Sequence, residues 1–172
     1  MKKIAILAED MYQVLEVWYP YFRLREAGFE VVLVGTGTKA EYKSKEGYPA
    51  KVDISINEIN SNDFAGVIIP GGYAPDLLRR YDRVNTFVRD MFLQEKLTAA
   101  ICHGGWVLVS AGILKRKKAT CFSAIKDDVV NAGAAYFDRE VVVDGNLITS
   151  RSPYDLPAFC REIIRFLEGA KL

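Results

Sequence analysis

The chain has 172 residues, half of them hydrophobic and 26% charged, with a formal net charge of +1. That balance offers no electrostatic footprint for nucleic acid or an anionic membrane, and the length suits one domain, expected over 1–172, with a sizeable core. The three cysteines (Cys102, Cys121, Cys160), odd in number and far apart, make no disulfide framework and point to a reducing, cytoplasmic setting.

The first apolar run, Lys3 to Leu7, is too short for a signal segment and meets Glu9-Asp10 at once, so it reads as a buried strand. No segment approaches transmembrane length. Apolar residues recur at Val14, Val17, Trp18, Tyr21 and Leu24, a helical stripe ending at Gly28. Pro20 within it should kink the helix or lie near its first turns. Val31 to Val34 predicts a second strand, and the polar, turn-rich stretch 35–49 a short hairpin. Residues 63–69 predict a third strand ending at Pro70-Gly71-Gly72. A short helix over 74–78, with Pro75 early in it, and a longer one over 85–95 follow. Leu97 to Ile101 predicts a fourth strand, and 106–111 a helix stopped by Gly112. A brief strand over 119–121 and a brief helix over 126–131 come next. A hairpin over 140–149 turns at Asp144-Gly145 in type I′ geometry, and a last helix runs from about Pro153 to Leu167. Buried strands alternating with helices predict a doubly wound α/β sandwich: a mostly parallel sheet with helices on both faces.

In such sheets ligands bind beyond the carboxyl ends of the strands. The first, third and fourth strands end at Glu9-Asp10, Pro70-Gly71-Gly72 and Cys102-His103. Cys102 lies between strand and helix, the geometry of a nucleophile elbow. Beside a helix N-terminus its thiol should be more acidic than a free cysteine. His103 is the single histidine of the chain, so any histidine base in the same chain must be this neighbour. That excludes glutamine amidotransferases and α/β-hydrolases, whose histidine comes well after the nucleophile. An amide of Gly71-Gly72, paired with the N–H of His103, could form an oxyanion hole; the alternative is a plain turn. Glu9, Asp10, Glu16 and Asp76 are the candidate carboxylates. Glu16, flanked by Val14-Leu15 and Val17-Trp18, would have a raised pKa if turned inward and could then donate to a thiolate. One histidine and scattered cysteines give no metal-ligand spacing. Gly35-Thr36-Gly37 follows the wrong strand and lacks the third glycine of a dinucleotide fingerprint, so neither metal nor cofactor is expected.

Over essentially its whole length the chain resembles the ThiJ/PfpI superfamily, and within it the PfpI-type intracellular peptidase branch. The resemblance rests on Ala100-Ile101-Cys102-His103-Gly104, Pro70-Gly71-Gly72, Ile125-Lys126-Asp127-Asp128, Asn131-Ala132-Gly133, Glu140-Val141-Val142-Val143-Asp144-Gly145 and Ser150-Arg151-Ser152-Pro153. It implies a flavodoxin-like sandwich with Cys102 as nucleophile and His103 as its partner. Glu16 would hydrogen-bond the thiol, with Gly71, Gly72 and Gly104 around the oxyanion. It also implies that Asp76 serves a neighbouring subunit, so that the site is complete only in a homo-oligomer, from dimer to hexamer. The chain departs from the family at several positions. Gly105 stands where proline is usual, Met11 to Leu15 replaces an acidic stretch, Asp76 stands for a frequent glutamate and Phe122 for a frequent tyrosine. The expected function is a cysteine-dependent hydrolase of peptides. The alternatives are a glyoxalase III or protein deglycase acting on small aldehydes such as methylglyoxal or on their adducts, and, in another class, an oxidative-stress sensor or chaperone with little turnover.

Overall fold

The computed structural model describes residues 1–169. It opens with β1 (Lys3–Ala8), α1 (Val14–Glu26) and β2 (Glu30–Gly35), the predicted β-α-β unit. The predicted hairpin follows as β3 (Glu41–Lys43) and β4 (Pro49–Lys51), antiparallel and outside the main sheet. Then come β5 (Ile54–Ser55), β6 (Gly66–Ile69), α2 (Ala74–Leu78), α3 (Asp82–Leu93), β7 (Leu97–Ile101) and α4 (Gly105–Ala111). The chain finishes with β8 (Lys118–Ala119), α5 (Lys126–Asn131), β9 (Ala135–Tyr136), β10 (Val142–Asp144), β11 (Leu147–Ser150) and α6 (Leu156–Leu167).

The main sheet runs β5-β2-β1-β6-β7-β11-β10, parallel throughout except for β10 on β11. Its five central strands, β2-β1-β6-β7-β11, have the flavodoxin-like order, whose switch point lies between β1 and β6. Ile4 to Ala8, Val67 to Ile69 and Leu97 to Ile101 are all buried, because helices cover both faces of these strands. No helix among the described residues is long and apolar enough to cross a membrane.

The structure differs from the expectations in four places. Helix α3 begins at Asp82 rather than Asn85, capped by no side chain. The edge strand β5 is two residues long and pairs with β2 at Val34 and Gly35, too brief to leave an alternating pattern. The strand near Ala119 joins β9 in a separate two-stranded parallel sheet. The β10–β11 turn is Gly145-Asn146, with Asp144 opposite Leu147. Only Gly145 has positive φ (63°), whereas type I′ needs both central residues there. Pro20 does not interrupt α1, and its buried ring lies one turn after Glu16, whose carbonyl is thereby left without its helical donor.

Candidate active site

Cys102 sits at the end of β7 with φ 59°, the left-handed region that a residue with a Cβ occupies only under constraint. A single 3₁₀ turn over Cys102–Gly104 then leads into α4, so the predicted elbow is present. The sulfur is 3.3 Å from Nδ1 of His103. The backbone N–H groups of Gly72 and His103 also point at it.

Glu16 is fully buried in the first turn of α1, a turn capped by Gln13, whose side chain accepts from the Glu16 N–H at 3.0 Å. Its Oε2 accepts a 2.6 Å hydrogen bond from the Gly71 N–H, while Oε1 has no partner of good geometry. Burial pushes the Glu16 carboxyl up from 4.5 to about 7, against the opposing pull of the Gly71 amide, the Cys102 thiol and the Lys45 charge. A nearby helix N-terminus would make Cys102 acidic, but its surroundings act the other way. Burial, and next the Glu16 carboxylate, push the thiol up from 9.0 to about 12, outweighing the N–H groups of His103 and Gly72. His103 is pulled below its ordinary value, by burial first and the Lys45 charge second, so its imidazole is neutral at pH 7. Its ring stacks on Phe122 (centroids 4.9 Å apart, planes at 27°) and meets Trp106 edge-on at 5.3 Å.

The glycines separate into three roles. Gly71 is required by close approach: a Cβ there would lie 2.5 Å from Oε2 of Glu16, 2.7 Å from Cβ of Cys102 and 3.0 Å from N of His103. Its N–H is committed to Glu16, which corrects the expectation that it serves an oxyanion. Gly72, with φ 78°, turns its N–H toward the sulfur and lines the cavity above it. Gly104 lies behind the thiol, where a Cβ would meet the Ile69 carbonyl oxygen at 2.5 Å; it packs the elbow on β6 and does not line the cavity.

The remaining carboxylates are engaged elsewhere. Glu9 is buried and accepts from the Thr36 hydroxyl and, at 2.9 Å, from the Asp10 N–H. Asp10 holds the hairpin by pairing with Lys39 and accepting from the Lys43 N–H at 3.0 Å. Asp76, in the first turn of α2, pairs with Arg80 one helical turn on and makes no hydrogen bond to His103 within the chain. Among the described residues no three His, Cys, Asp or Glu side chains gather as a metal site would require.

Above Cys102 and His103 opens a cavity of about 380 Å³. Gln13, Lys45, Gly72, Tyr73, Trp106, Phe122 and Pro153 complete its wall. Trp106 is fixed from behind: its Nε1 donates to Asp128 at 2.7 Å and the Arg79 guanidinium lies 5.7 Å over its ring. Sequence reasoning did not place Gln13, Lys45, Tyr73 or Pro153 here. Gln13 carried little signal, because glutamine is not among the residues that mark a helix N-cap in a sequence. Lys45 carried none, because long-range pairing of the hairpin with residues 11 and 12 brings it to the site.

Residues 2–166 match the DJ-1/PfpI family. The chain is 42% identical over 166 residues to a protein of Pyrococcus furiosus named "Deglycase PfpI", covering 96% of this chain and 99% of that one. It is 41% identical over 167 residues to "Putative cysteine protease YraA" of Bacillus subtilis, covering 97% and 99%. A crystal structure from Anabaena variabilis, of a two-domain protein with DJ-1/ThiJ/PfpI-like and ferritin-like domains, superposes with a TM-score of 0.95 at 44% identity. That match covers 98% of this chain and 48% of the other, so the chain spans about half of that protein.

Proposed function

The chain belongs to the DJ-1/PfpI family, and from that premise we propose that it is an enzyme of the deglycase kind, releasing amines from adducts of small dicarbonyl aldehydes such as methylglyoxal. The observation that carries this reading is the placement of the buried Glu16 carboxyl beside Cys102, with one oxygen held by the Gly71 amide at 2.6 Å and the other left without a partner. A cysteine peptidase attacks an unactivated amide with a thiolate–imidazolium pair. Here the thiol is held up to about 12 beside an imidazole pulled below its usual value, so that pair is disfavoured. The favoured arrangement at neutral pH is a thiol against a carboxyl poised at about 7, the value suited to a general base or acid. Glu16 takes the thiol proton as the sulfur bonds to the electrophilic, aldehyde-derived carbon and returns it to the departing amine. The Gly72 and His103 N–H groups stabilise the charge that develops beside the sulfur. A neutral His103, 3.3 Å from the sulfur, can move the proton between the two carbons of the resulting hemithioacetal, leaving a thioester that water cleaves to lactate.

A second reading, PfpI-type peptidase, draws on the Bacillus subtilis relative named for cysteine protease activity and on the two N–H groups that converge at Cys102. It requires an acid that orients His103 and raises its basicity. Asp76, expected to act on a neighbouring copy in a homo-oligomer, is the candidate. The site tests one reading against the other through turnover of a methylglyoxal adduct of N-acetyl-lysine and of a fluorogenic peptide, with Cys102→Ser as blank. Lactate release abolished in the variant supports the deglycase. Peptide cleavage abolished in the variant, with no lactate, replaces it by the peptidase. Silence on both removes the enzyme reading.

A further inference from the structure

The cavity above Cys102 is lined in large part by the aromatic rings of Tyr73, Trp106 and Phe122, and among its described lining residues Lys45 is the one charged side chain. Lys45 has no ion-pair partner within 4.0 Å among the described residues, although the backbone around it is held by several hydrogen bonds. Its N–H donates to the Tyr12 carbonyl at 3.0 Å, and the adjacent Ser44 closes the turn by donating to the Tyr48 carbonyl at 2.9 Å. The Ser44 hydroxyl accepts from the N–H groups of Glu46 and Tyr48 at 3.1 and 3.0 Å. Tyr12 donates its hydroxyl to the Tyr48 carbonyl at 2.8 Å and accepts from Trp18 Nε1 at 3.2 Å, which fastens the same turn to α1. A rigid backbone thus delivers an exposed, unpaired ammonium to the mouth of a mostly apolar pocket. Its field reaches the floor, since it lowers the proton affinity of both Glu16 and His103.

We infer that Lys45 determines specificity by receiving an anionic group of the substrate, a carboxylate, while the aromatic walls cover the apolar remainder. On the deglycase reading, from which the substrate class follows, the preferred adducts are those of amino acids or chain ends that keep a free α-carboxylate near the attacked carbon. A protein side-chain adduct flanked only by amides lacks that group and forgoes the contact.

The first test needs no turnover. Cys102 is alkylated with iodoacetate and with iodoacetamide at one pH, and the two rates are read on the Cys102 peptide by mass spectrometry. Cys121 and Cys160 are buried and serve as internal controls. The thiolate population cancels in the ratio, so the ratio reports attraction of an anion to the site. Lys45→Gln should lower the iodoacetate-to-iodoacetamide ratio by about threefold, the scale of one partly exposed charge contact. Lys45→Arg should restore it, and added salt should lower the wild-type ratio toward that of the Gln variant. An unchanged ratio in Lys45→Gln overturns the inference. The second test compares kcat/KM for the methylglyoxal hemithioacetals of N-acetylcysteine and N-acetylcysteinamide. A carboxylate preference that shrinks in Lys45→Gln supports the assignment, and an equal fall on both substrates overturns it. If the alkylation ratio responds while neither these hemithioacetals nor the N-acetyl-lysine adduct is turned over, the deglycase reading fails and Lys45 stands as an anion-receiving residue of a site with another reaction.

Discussion

The Glu16 carboxylate accepts a 2.6 Å hydrogen bond from the Gly71 amide, joining the helix after β1 to the loop after β6 across the switch point of the sheet. The bond leaves Oε1 as the oxygen on which the buried carboxyl can carry a proton, and it spends a donor that an oxyanion hole would otherwise use. The contact therefore sets both the acid–base character of the site and the share of the Gly-Gly loop in it.

Gly71→Ala tests how tightly that junction is packed. The added methyl would fall within 3.0 Å of Glu16, Cys102 and His103 at once, and two of the three obstructing atoms are held by the backbone. Overpacking of this kind costs about 1–3 kcal/mol. Denaturant unfolding should show that loss, and turnover should fall at least about tenfold, since displacements near 1 Å already carry penalties of that size or more. A variant with wild-type stability and rate would show that the junction yields freely.

Glu16→Gln should make Cys102 easier to ionise. The carboxylate is the second-largest cause holding the thiol up, so neutralising it should bring the titration below 12. Burial persists and still opposes ionisation against the pull of the His103 and Gly72 amides. The pH dependence of iodoacetamide alkylation at Cys102 measures the shift. Turnover should nevertheless fall by about 100-fold or more, because the amide cannot exchange the proton. A faster enzyme would assign the proton to His103 alone.

How far the sequence revealed this site depends on the range of the contacts. The Cys102 elbow and the buried Glu16 were legible because each is written in a local pattern: an apolar strand meeting a cysteine, and a glutamate set inside an apolar helical stripe. The central sheet was legible for the same reason, through continuous runs such as Leu97 to Ile101. The sign of the thiol's pKa was not, since it depends on burial and on Glu16, residues 86 positions away in the sequence. Lys45 was not, since a hairpin with ordinary turn composition folds back onto Tyr12 to deliver it. At the β10–β11 turn Asp-Gly is a strong local signal, whereas register, with Asp144 opposite Leu147, makes Gly145-Asn146 the central pair.

Stability should carry the mark of Glu16 as well. In the fold its pKa is raised from 4.5 to about 7, so the folded state binds the proton more tightly than the unfolded chain. Between those values the folded state holds more protons, and its stability falls as pH rises through that window. His103, lowered in the fold, works the other way, since protonation of the unfolded chain withdraws stability as pH falls through its ordinary 6.5. Comparing wild type with Glu16→Gln isolates the first effect. The variant should gain on the wild type by up to roughly 3 kcal/mol between about pH 5 and about pH 8, the equivalent of the Glu16 shift. Urea unfolding at the two pH values reads the difference, and a constant offset would mean that Glu16 is already ionised at the lower one.

Asp76 offers the test of whether a second copy completes the site. Within the chain it pairs with Arg80, and the His103 ring has only the Cys102 sulfur as a hydrogen-bond partner among the described residues. If Asp76 serves the His103 of a neighbouring copy, Cys102→Ser and Asp76→Ala should each be impaired alone in any reaction that uses His103 as base. Mixed protomers of the two variants would contain sites with an intact Cys102 on one copy and an intact Asp76 on the other. Unfolding and refolding the two together should then recover about a quarter of the wild-type rate in a random dimer, because half of the dimers are mixed and each holds one complete site of two. Recovery at that level, with light scattering showing an oligomer, assigns Asp76 to action across the interface. A mixture no more active than the average of its parents confines Asp76 to its pairing with Arg80 and the surface of α2.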